Sequence, residues 1–128
     1  MDNATLLEAQ LQVKKMQTLL NEVLDLTDQI ARASDREDRV SLQMLLELRA
    51  DPIEKLRSIR AVLLEQRNSL PEQKGARLAE LLNGQPAARP EEAALAAQVK
   101  ETNQLLSRVV DGDRRISQKL IGEDSIYT

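Results

Sequence analysis

The chain has 128 residues and a net charge of −3, with 41 % hydrophobic and 30 % charged residues, and it contains no His, Cys, Trp or Phe. The absence of Cys and His excludes a disulfide framework, thiol chemistry, the usual zinc sites and proton shuttles that work near pH 7. Lys and Arg are scattered among carboxylates and form no basic stripe for nucleic acid, and the length suits one domain. We therefore expect a single all-α domain in which Leu, the commonest residue, supplies the core.

The segment from residue 5 to residue 33 has the clearest helical period. Its apolar positions recur at alternating steps of three and four, which places them on one side of a helix as a heptad seam. The seam comprises Leu6, Ala9, Val13, Met16, Leu20, Val23, Thr27 and Ile30. Leu19, Leu24 and Leu26 widen this stripe, which favours a bundle over a two-stranded coiled coil. We predict a long helix over about residues 4–33.

The middle of the chain carries two patterns typical of helix starts. Ser34 followed by Glu37 has the form of a capping box and predicts a second helix over about 35–50. Apolar residues alternate from Val40 to Leu48, as in a strand, but the good helix formers between them and the lack of a partner strand favour a helix. Asp51-Pro52 repeats the cap pattern, so we predict a kink or break before a further helix at 52–68.

Two arginines lie on the apolar side of that helix. Arg60 and Arg67 are seven residues apart and follow the same face as Ile59 and Leu63. The simpler interpretation is that their stems pack on apolar neighbours while their guanidinium groups reach water. The alternative is a docking pair for an acidic partner, since the guanidinium fork suits carboxylates.

The last third of the chain has a short helix, a linker and a second long helix. We predict a helix at about 70–83 with Asn83-Gly84 as its C-cap, a flexible proline-bearing linker at 84–90, and a helix at about 90–121. A tail at 122–128 follows. The last helix has its own heptad seam, which comprises Leu95, Val99, Thr102, Leu106, Val109, Ile116 and Leu120.

The segment Asp111-Gly112-Asp113 interrupts this second seam. It lacks the further oxygen ligands of a calcium loop, so a local weakening of the helix is the favoured interpretation and no metal site is expected.

The sequence shows no pattern of catalytic residues, so we expect a protein that is not an enzyme and needs no cofactor. Its carboxylates mostly accompany Lys or Arg on solvent faces, and it has neither a Gly-rich phosphate loop nor a nucleophile elbow. The N-terminus lacks a signal-peptide pattern, and no run of about 18 apolar residues occurs. We therefore expect a cytoplasmic protein that does not insert into membranes.

The layout as a whole resembles the FlgN-type flagellar export chaperones. The more specific features are Asn103-Gln104-Leu105-Leu106 in the last helix and the late pair Ile126-Tyr127. The fold expected on all these grounds is an elongated antiparallel bundle of three main helices, with a kinked or broken middle segment and coiled-coil-like first and last helices.

The resemblance implies a chaperone that binds the helical C-terminal segment of flagellar hook-associated proteins and delivers it for type III export. The client-binding candidates are Leu95, Val99, Asn103, Leu106 and Val109, and the linker would let their helix swing. Ile126 and Tyr127 would contact the export gate. Two alternatives remain open at this point: the seam residues are ordinary core, or the chain is a homodimeric helical-bundle or coiled-coil adaptor.

Overall fold

The structure, a computed structural model, describes residues 1–124, with side chains described for residues 1–120. Its elements are α1 (Asn3–Asp35), α2 (Arg39–Asn68), α3 (Glu72–Leu82), a 3-10 turn (Pro90–Glu92) and α4 (Ala93–Asp124). The described part of the chain contains no strand, so the all-α prediction is confirmed and residues 40–48 are helical. Within these residues no helix combines the length and the apolarity needed to cross a membrane.

The turn between α1 and α2 lies later than the capping-box pattern predicted. Ser34 does not begin a helix but is buried in the last turn of α1. Glu37 then adopts a φ of 56°, and Asp38 is the N-cap of α2, since its carboxylate accepts a hydrogen bond from the Ser41 N–H at 3.1 Å. The chain reverses at Arg36 and Glu37, so the carboxylate that follows the reversal is the one placed to cap α2.

Of the kink or break predicted at Pro52, the break does not occur, because α2 is a single helix of 30 residues with Pro52 inside it. Proline removes one backbone donor from a helix interior, which usually kinks or ends the helix. Here Pro52 is itself buried, and Leu45 and Ile59 are buried on either side of it. Packing of both halves against the bundle therefore outweighs the local cost of the proline.

The short helix α3 is bounded by Pro71 before it and by Asn83 and Gly84 after it. Ser69 is the C-cap of α2, and Pro71 is the residue that precedes α3. The predicted C-cap of this helix is confirmed, since Asn83 occupies the cap and Gly84 has a φ of 97°, the left-handed conformation that glycine adopts without strain.

The three long helices run up, down and up. Gln66 in α2 donates to the Thr5 carbonyl near the start of α1, while Arg49 donates to Thr27 further along, so α2 is antiparallel to α1. Gln17 donates to the Gln98 carbonyl near the start of α4, and Lys119 near the end of α4 pairs with Asp35 at the end of α1, so α4 is parallel to α1. The backbones of α2 and α4 both pack closely along α1 but scarcely approach each other.

The short helix α3 packs against both α2 and α4 at one end of the molecule. The four helices therefore occupy the corners of a square bundle, with α1 opposite α3 and α2 opposite α4. Because α3 has 11 residues and α1 has 33, the fourth corner is filled over only part of its length.

The predicted α1 seam forms the central line of the core. Leu6, Ala9, Val13, Leu20, Val23, Thr27 and Ile30 are all buried, and Met16 is half-buried. The first three pack with α3 and the start of α4, while the later ones pack with α2 and the middle of α4. One face of α1 thus contacts every other helix.

Candidate functional site

Three of the predicted client-binding residues lie in the core. Leu95, Val99 and Val109 are 0 %, 3 % and 8 % exposed. Leu95 and Val99 pack with α1 and α3, and Val109 packs with Leu20 and Val23 of α1. These three residues therefore fit the alternative of ordinary core, and a partner could reach them only if α4 left α1.

The other two predicted residues of α4 are exposed. Leu106 is 47 % exposed, Asn103 is also exposed, and Val110 one turn beyond Leu106 is 48 % exposed. Leu106, Val110 and Asp113 follow one another at steps of four and three, so they share one side of α4. Asp113 forms an ion pair with Arg49 of α2, and this side of α4 therefore faces α2.

The side of α2 that faces α4 carries a matching set of apolar residues. Leu46, Arg49 and Ile53 follow at steps of three and four, and they share the side of α2 that Arg49 marks. Leu46 is 39 % exposed and Ile53 is half-buried. The space that Leu46, Ile53, Leu106 and Val110 line is called the α2–α4 groove below.

The floor of the α2–α4 groove is closed by an ion pair and by apolar residues. The Arg49 Nε donates to the Thr27 hydroxyl at 3.1 Å, and that hydroxyl donates to the Val23 carbonyl at 2.7 Å. Burial lowers the pKa of Arg49, whose guanidinium pairs with Asp113 across the groove. Beside this pair, the half-buried Leu56 and Leu105 pack against the core. The groove is consequently shallow, with its apolar side chains along the walls.

α3 lies in line with the groove and ends where the groove begins. Near its start, a Cβ atom at Gly75 would lie 2.8 Å from the Arg67 carbonyl oxygen of α2. Just past its end, a Cβ atom at Gly84 would lie 3.2 Å from the Asn103 Nδ2 of α4. Asn103 comes one turn before Leu106, so the exposed part of α4 continues directly beyond α3.

The segment after α3 is held by an ion pair between Arg77 and Glu92. The Arg77 Nε and Nη2 donate to the two carboxylate oxygens at 3.0 and 2.7 Å, and Nη2 also donates to the Pro86 carbonyl. The backbone N–H groups of Ala88 and Arg89 donate to the same carboxylate. The Arg77 guanidinium, together with these N–H groups, lowers the pKa of Glu92 to about 2, and the pKa of Arg77 is raised.

This network changes the interpretation of the predicted linker at 84–90. Residues 85–89 have no regular secondary structure, as predicted, but the Glu92 carboxylate and the Arg77 side chain bind their backbone. Hydrogen bonds to charged groups are stronger than those between neutral groups, so this segment is held firmly against α3. The start of α4 is therefore anchored to α3, and the expectation of a freely swinging helix is not supported by this geometry.

A second exposed apolar surface lies on α2. Val40, Met44 and Leu48 recur at steps of four and are 83 %, 53 % and 52 % exposed. They form a stripe on one side of the helix, called the α2 stripe below. Leu7 and Leu11 form a smaller exposed pair on α1.

Sequence reasoning found part of the α2–α4 groove and missed the rest. Leu106 was assigned to the heptad seam, whereas the structure turns it outward and places Leu105 towards the core. Val110, Leu46 and Ile53 were not among the candidates. The repeat of adjacent apolar pairs, Leu105-Leu106 and then Val109-Val110, is the signal that α4 has a second apolar stripe. Ile126 and Tyr127 lie outside the described residues.

Comparisons with protein-family models, curated proteins and solved structures found no match to this chain. Over residues 1–124 the structure by itself defines the class, which is an all-α bundle of three long helices and one short helix.

Proposed function

We propose that this protein is a non-catalytic cytoplasmic chaperone that binds an amphipathic helix of a partner protein. The observation that supports this proposal is the α2–α4 groove, where Leu106, Val110 and Leu46 remain exposed beside a well-buried core. Apolar side chains that gather between two helices are the usual receptor for the apolar face of a third helix. Covering them removes apolar surface from water, which drives such association.

The resemblance to FlgN-type chaperones supplies the partner in this proposal. The client is the helical C-terminal segment of a flagellar hook-associated protein, which the chaperone delivers for type III export. Two residues that carry the resemblance, Asn103 and Leu106, are exposed on α4. Leu95, Val99 and Val109 then hold α4 in place rather than contact the client. Ile126 and Tyr127 keep their proposed role as the export-gate contact.

Affinity capture from a lysate of the source organism tests this function. The bait is the full chain, compared with a shortened chain that lacks residues 123–128, a groove variant (Leu106→Asn with Val110→Asn) and a matched control (Leu7→Asn with Leu11→Asn). The control alters two exposed apolar residues of α1, so it removes at least as much exposed apolar surface away from the groove.

Two results together support the chaperone function. A hook-associated protein should be captured by the full chain and by the control but not by the groove variant, as identified by mass spectrometry. A component of the export gate should be lost only from the shortened chain. Capture of no flagellar protein by any bait would contradict the proposed function.

A homodimeric adaptor is the second candidate function, and the α2 stripe is the observation that favours it. Val40, Met44 and Leu48 could pair with the same stripe of a second copy, since two such stripes are self-complementary in a two-fold interface. Light scattering during size-exclusion chromatography distinguishes the candidates. A dimer that Met44→Glu converts to a monomer, while the groove variant does not, would favour the adaptor.

A further inference from the structure

We propose that the partner helix of the α2–α4 groove is acidic, is about three turns long, and fills the part of the fourth bundle corner that α3 leaves open. This inference rests on the proposed helix-binding function and adds the position, the length and the charge of the bound segment.

The length of the bound segment follows from where α3 stops. α3 lies between α2 and α4 from the level of Arg67 to the level of Asn103, as the close approaches at Gly75 and Gly84 show. Beyond Asn103, the exposed side of α4 continues through Leu106 and Val110 to Arg114. At a rise of 1.5 Å per residue this stretch measures about 17 Å, which corresponds to roughly three turns of helix.

The spacing of the exposed residues suits a helix as the occupant. Leu106 and Val110 are one turn apart on α4, and Leu46 and Ile53 are two turns apart on α2. The two walls therefore offer apolar contacts one turn apart on α4 and two turns apart on α2. A partner helix with apolar residues at positions i, i+3 or i+4, and i+7 would meet both walls.

The charge of the bound segment follows from two arginines near the ends of the groove. Arg60 follows Ile53 by two turns towards α3, and Arg114 follows Val110 by one turn. Both are exposed, and neither forms an ion pair within the part of the chain that the structure describes. The acidic residue on this side of α4, Asp113, is already paired with Arg49.

A partner with carboxylates beside its apolar stripe would complement the guanidinium groups of both arginines. The α2 stripe of a second copy fits less well, because acidic residues such as Glu47 and Asp51 accompany basic ones such as Arg39 and Lys55 around it. The charge of the groove therefore favours an acidic helix from another protein over a second copy of this chain.

The test uses two synthetic helical peptides of about 18 residues that share one leucine stripe, enough for the groove and a turn at each end. One peptide has Glu beside the stripe and the other has Lys. Each is labelled with a fluorophore, and binding to the full chain is followed by anisotropy. We expect the acidic peptide to bind at least about tenfold more tightly than the basic one.

Four variants locate the binding. The groove variant (Leu106→Asn with Val110→Asn) should weaken the acidic peptide about tenfold or more, and the control (Leu7→Asn with Leu11→Asn) less than about twofold. Arg60→Glu with Arg114→Glu should reverse the charge preference. Its matched control, Arg108→Glu with Arg115→Glu, changes the net charge equally at two other exposed arginines of α4 and should keep the preference.

A double variant could lose binding because it unfolds. Single substitutions that carry a dye therefore report binding at the groove on a chain that is otherwise unchanged. Because the chain contains no Cys, Val110→Cys and Leu7→Cys each provide a unique attachment site for a polarity-sensitive dye. The acidic peptide should shift the emission of the dye at position 110 to shorter wavelength and leave the dye at position 7 unchanged.

Several outcomes would overturn the proposal: equal binding of the two peptides, binding that the groove variant does not weaken, or no binding at all. Tighter peptide binding by a chain shortened at residue 124 would indicate that its own tail occupies the groove. A dimer that the groove variant dissociates would indicate a second copy.

A third ligand separates this proposal from the proposed function. If the C-terminal segment of a hook-associated protein binds the natural chain and the groove variant equally well, the chaperone function stands and the groove proposal fails. If the acidic peptide binds in the groove and that segment does not bind, the groove proposal stands and the flagellar client is wrong.

Discussion

Gly112 of α4 lies so close to Thr27 of α1 that a Cβ atom at position 112 would be 2.9 Å from the Thr27 Cγ2. Sequence reasoning interpreted Gly112 as a weak point in the last helix, but α4 is continuous there and Gly112 is buried. Thr27 is also the residue that contacts Arg49 of α2. The glycine therefore serves the contact between α4 and α1 at the level where all three long helices meet.

The first prediction is a coupling between positions 112 and 27. Alanine is a better helix former than glycine by about 1 kcal/mol, while a clash with a stiff buried side chain costs about 1–3 kcal/mol. Gly112→Ala should therefore lower the free energy of unfolding of the natural chain by about 1 kcal/mol. The Thr27→Ser substitution removes Cγ2 and keeps the hydroxyl. In that background, Gly112→Ala should raise the free energy of unfolding by about 1 kcal/mol.

Urea denaturation of the four chains measures this double-mutant cycle. The coupling energy should be about 2 kcal/mol. Equal effects of Gly112→Ala in the two backgrounds would show that the close approach at Thr27 does not limit this position.

The second prediction concerns the ion pair that holds the start of α4. Glu92→Gln removes the charge that Arg77 and two backbone N–H groups contact, and Glu92 is only 5 % exposed. We expect a loss of about 2 kcal/mol in the free energy of unfolding, since a mostly buried charge-assisted pair is broken. Glu91→Gln, at the exposed neighbouring position, should change it by less than about 0.5 kcal/mol. Similar losses in both variants would argue against a stabilising role for this pair.

The third prediction is a dependence of stability on pH that originates from Glu92. Its pKa in the folded chain is lowered from 4.5 to about 2, because the Arg77 guanidinium and backbone N–H groups stabilise the carboxylate. As the pH falls, the unfolded chain therefore binds the proton first. The contribution of Glu92 is fully present well above pH 4.5 and declines as the pH falls through 4.5 towards about 2.

Thermal unfolding of the natural chain and of Glu92→Gln tests this dependence at a series of pH values. The difference in the free energy of unfolding between the two chains should be constant above about pH 5 and should shrink as the pH falls below that value. A difference that is independent of pH down to about pH 3 would exclude the carboxylate as its source.

The fourth prediction concerns the turn between α1 and α2. Glu37 adopts a φ of 56°, a conformation that costs non-glycine residues about 1 kcal/mol. Glu37→Gly should therefore leave the stability unchanged or raise it by up to about 1 kcal/mol, although glycine normally destabilises. Asp38→Ala, which removes the N-cap of α2, should lower it by about 1 kcal/mol.

Denaturant midpoints of these two variants give the comparison directly. A clear loss of stability in Glu37→Gly would mean that the Glu37 side chain contributes something beyond its backbone conformation. An unchanged midpoint in Asp38→Ala would mean that the hydrogen bond to the Ser41 N–H adds little to α2.

Much of the fold could be predicted from residue patterns that act over one or two helical turns. The heptad seam of α1, the C-cap at Asn83-Gly84 and the short α3 all arise from local periodicity and capping chemistry. The errors occurred where distant packing opposed a local signal. Pro52 lies inside a helix because residues on both sides of it are buried, and Ser34 is core rather than a cap.

For the candidate site, the same division applies. Of the proposed client-binding residues, Asn103 and Leu106 are exposed on α4, while Leu95, Val99 and Val109 are buried against the other helices. A heptad pattern tells which residues share a side of a helix, but it does not tell how many neighbours cover that side. Only the placement of α2 beside Asp113 showed that Leu106 and Val110 face another helix.

The sequence by itself determined that this chain is helical, because helix-forming aliphatic and charged residues at helical spacing leave little choice of secondary structure. The tertiary structure decided what remains open on its surface. α3 ends at Leu82 while α2 and α4 continue, so the length of one short helix sets the extent of the groove. Such a result depends on contacts between residues far apart in the chain, which local periodicity does not record.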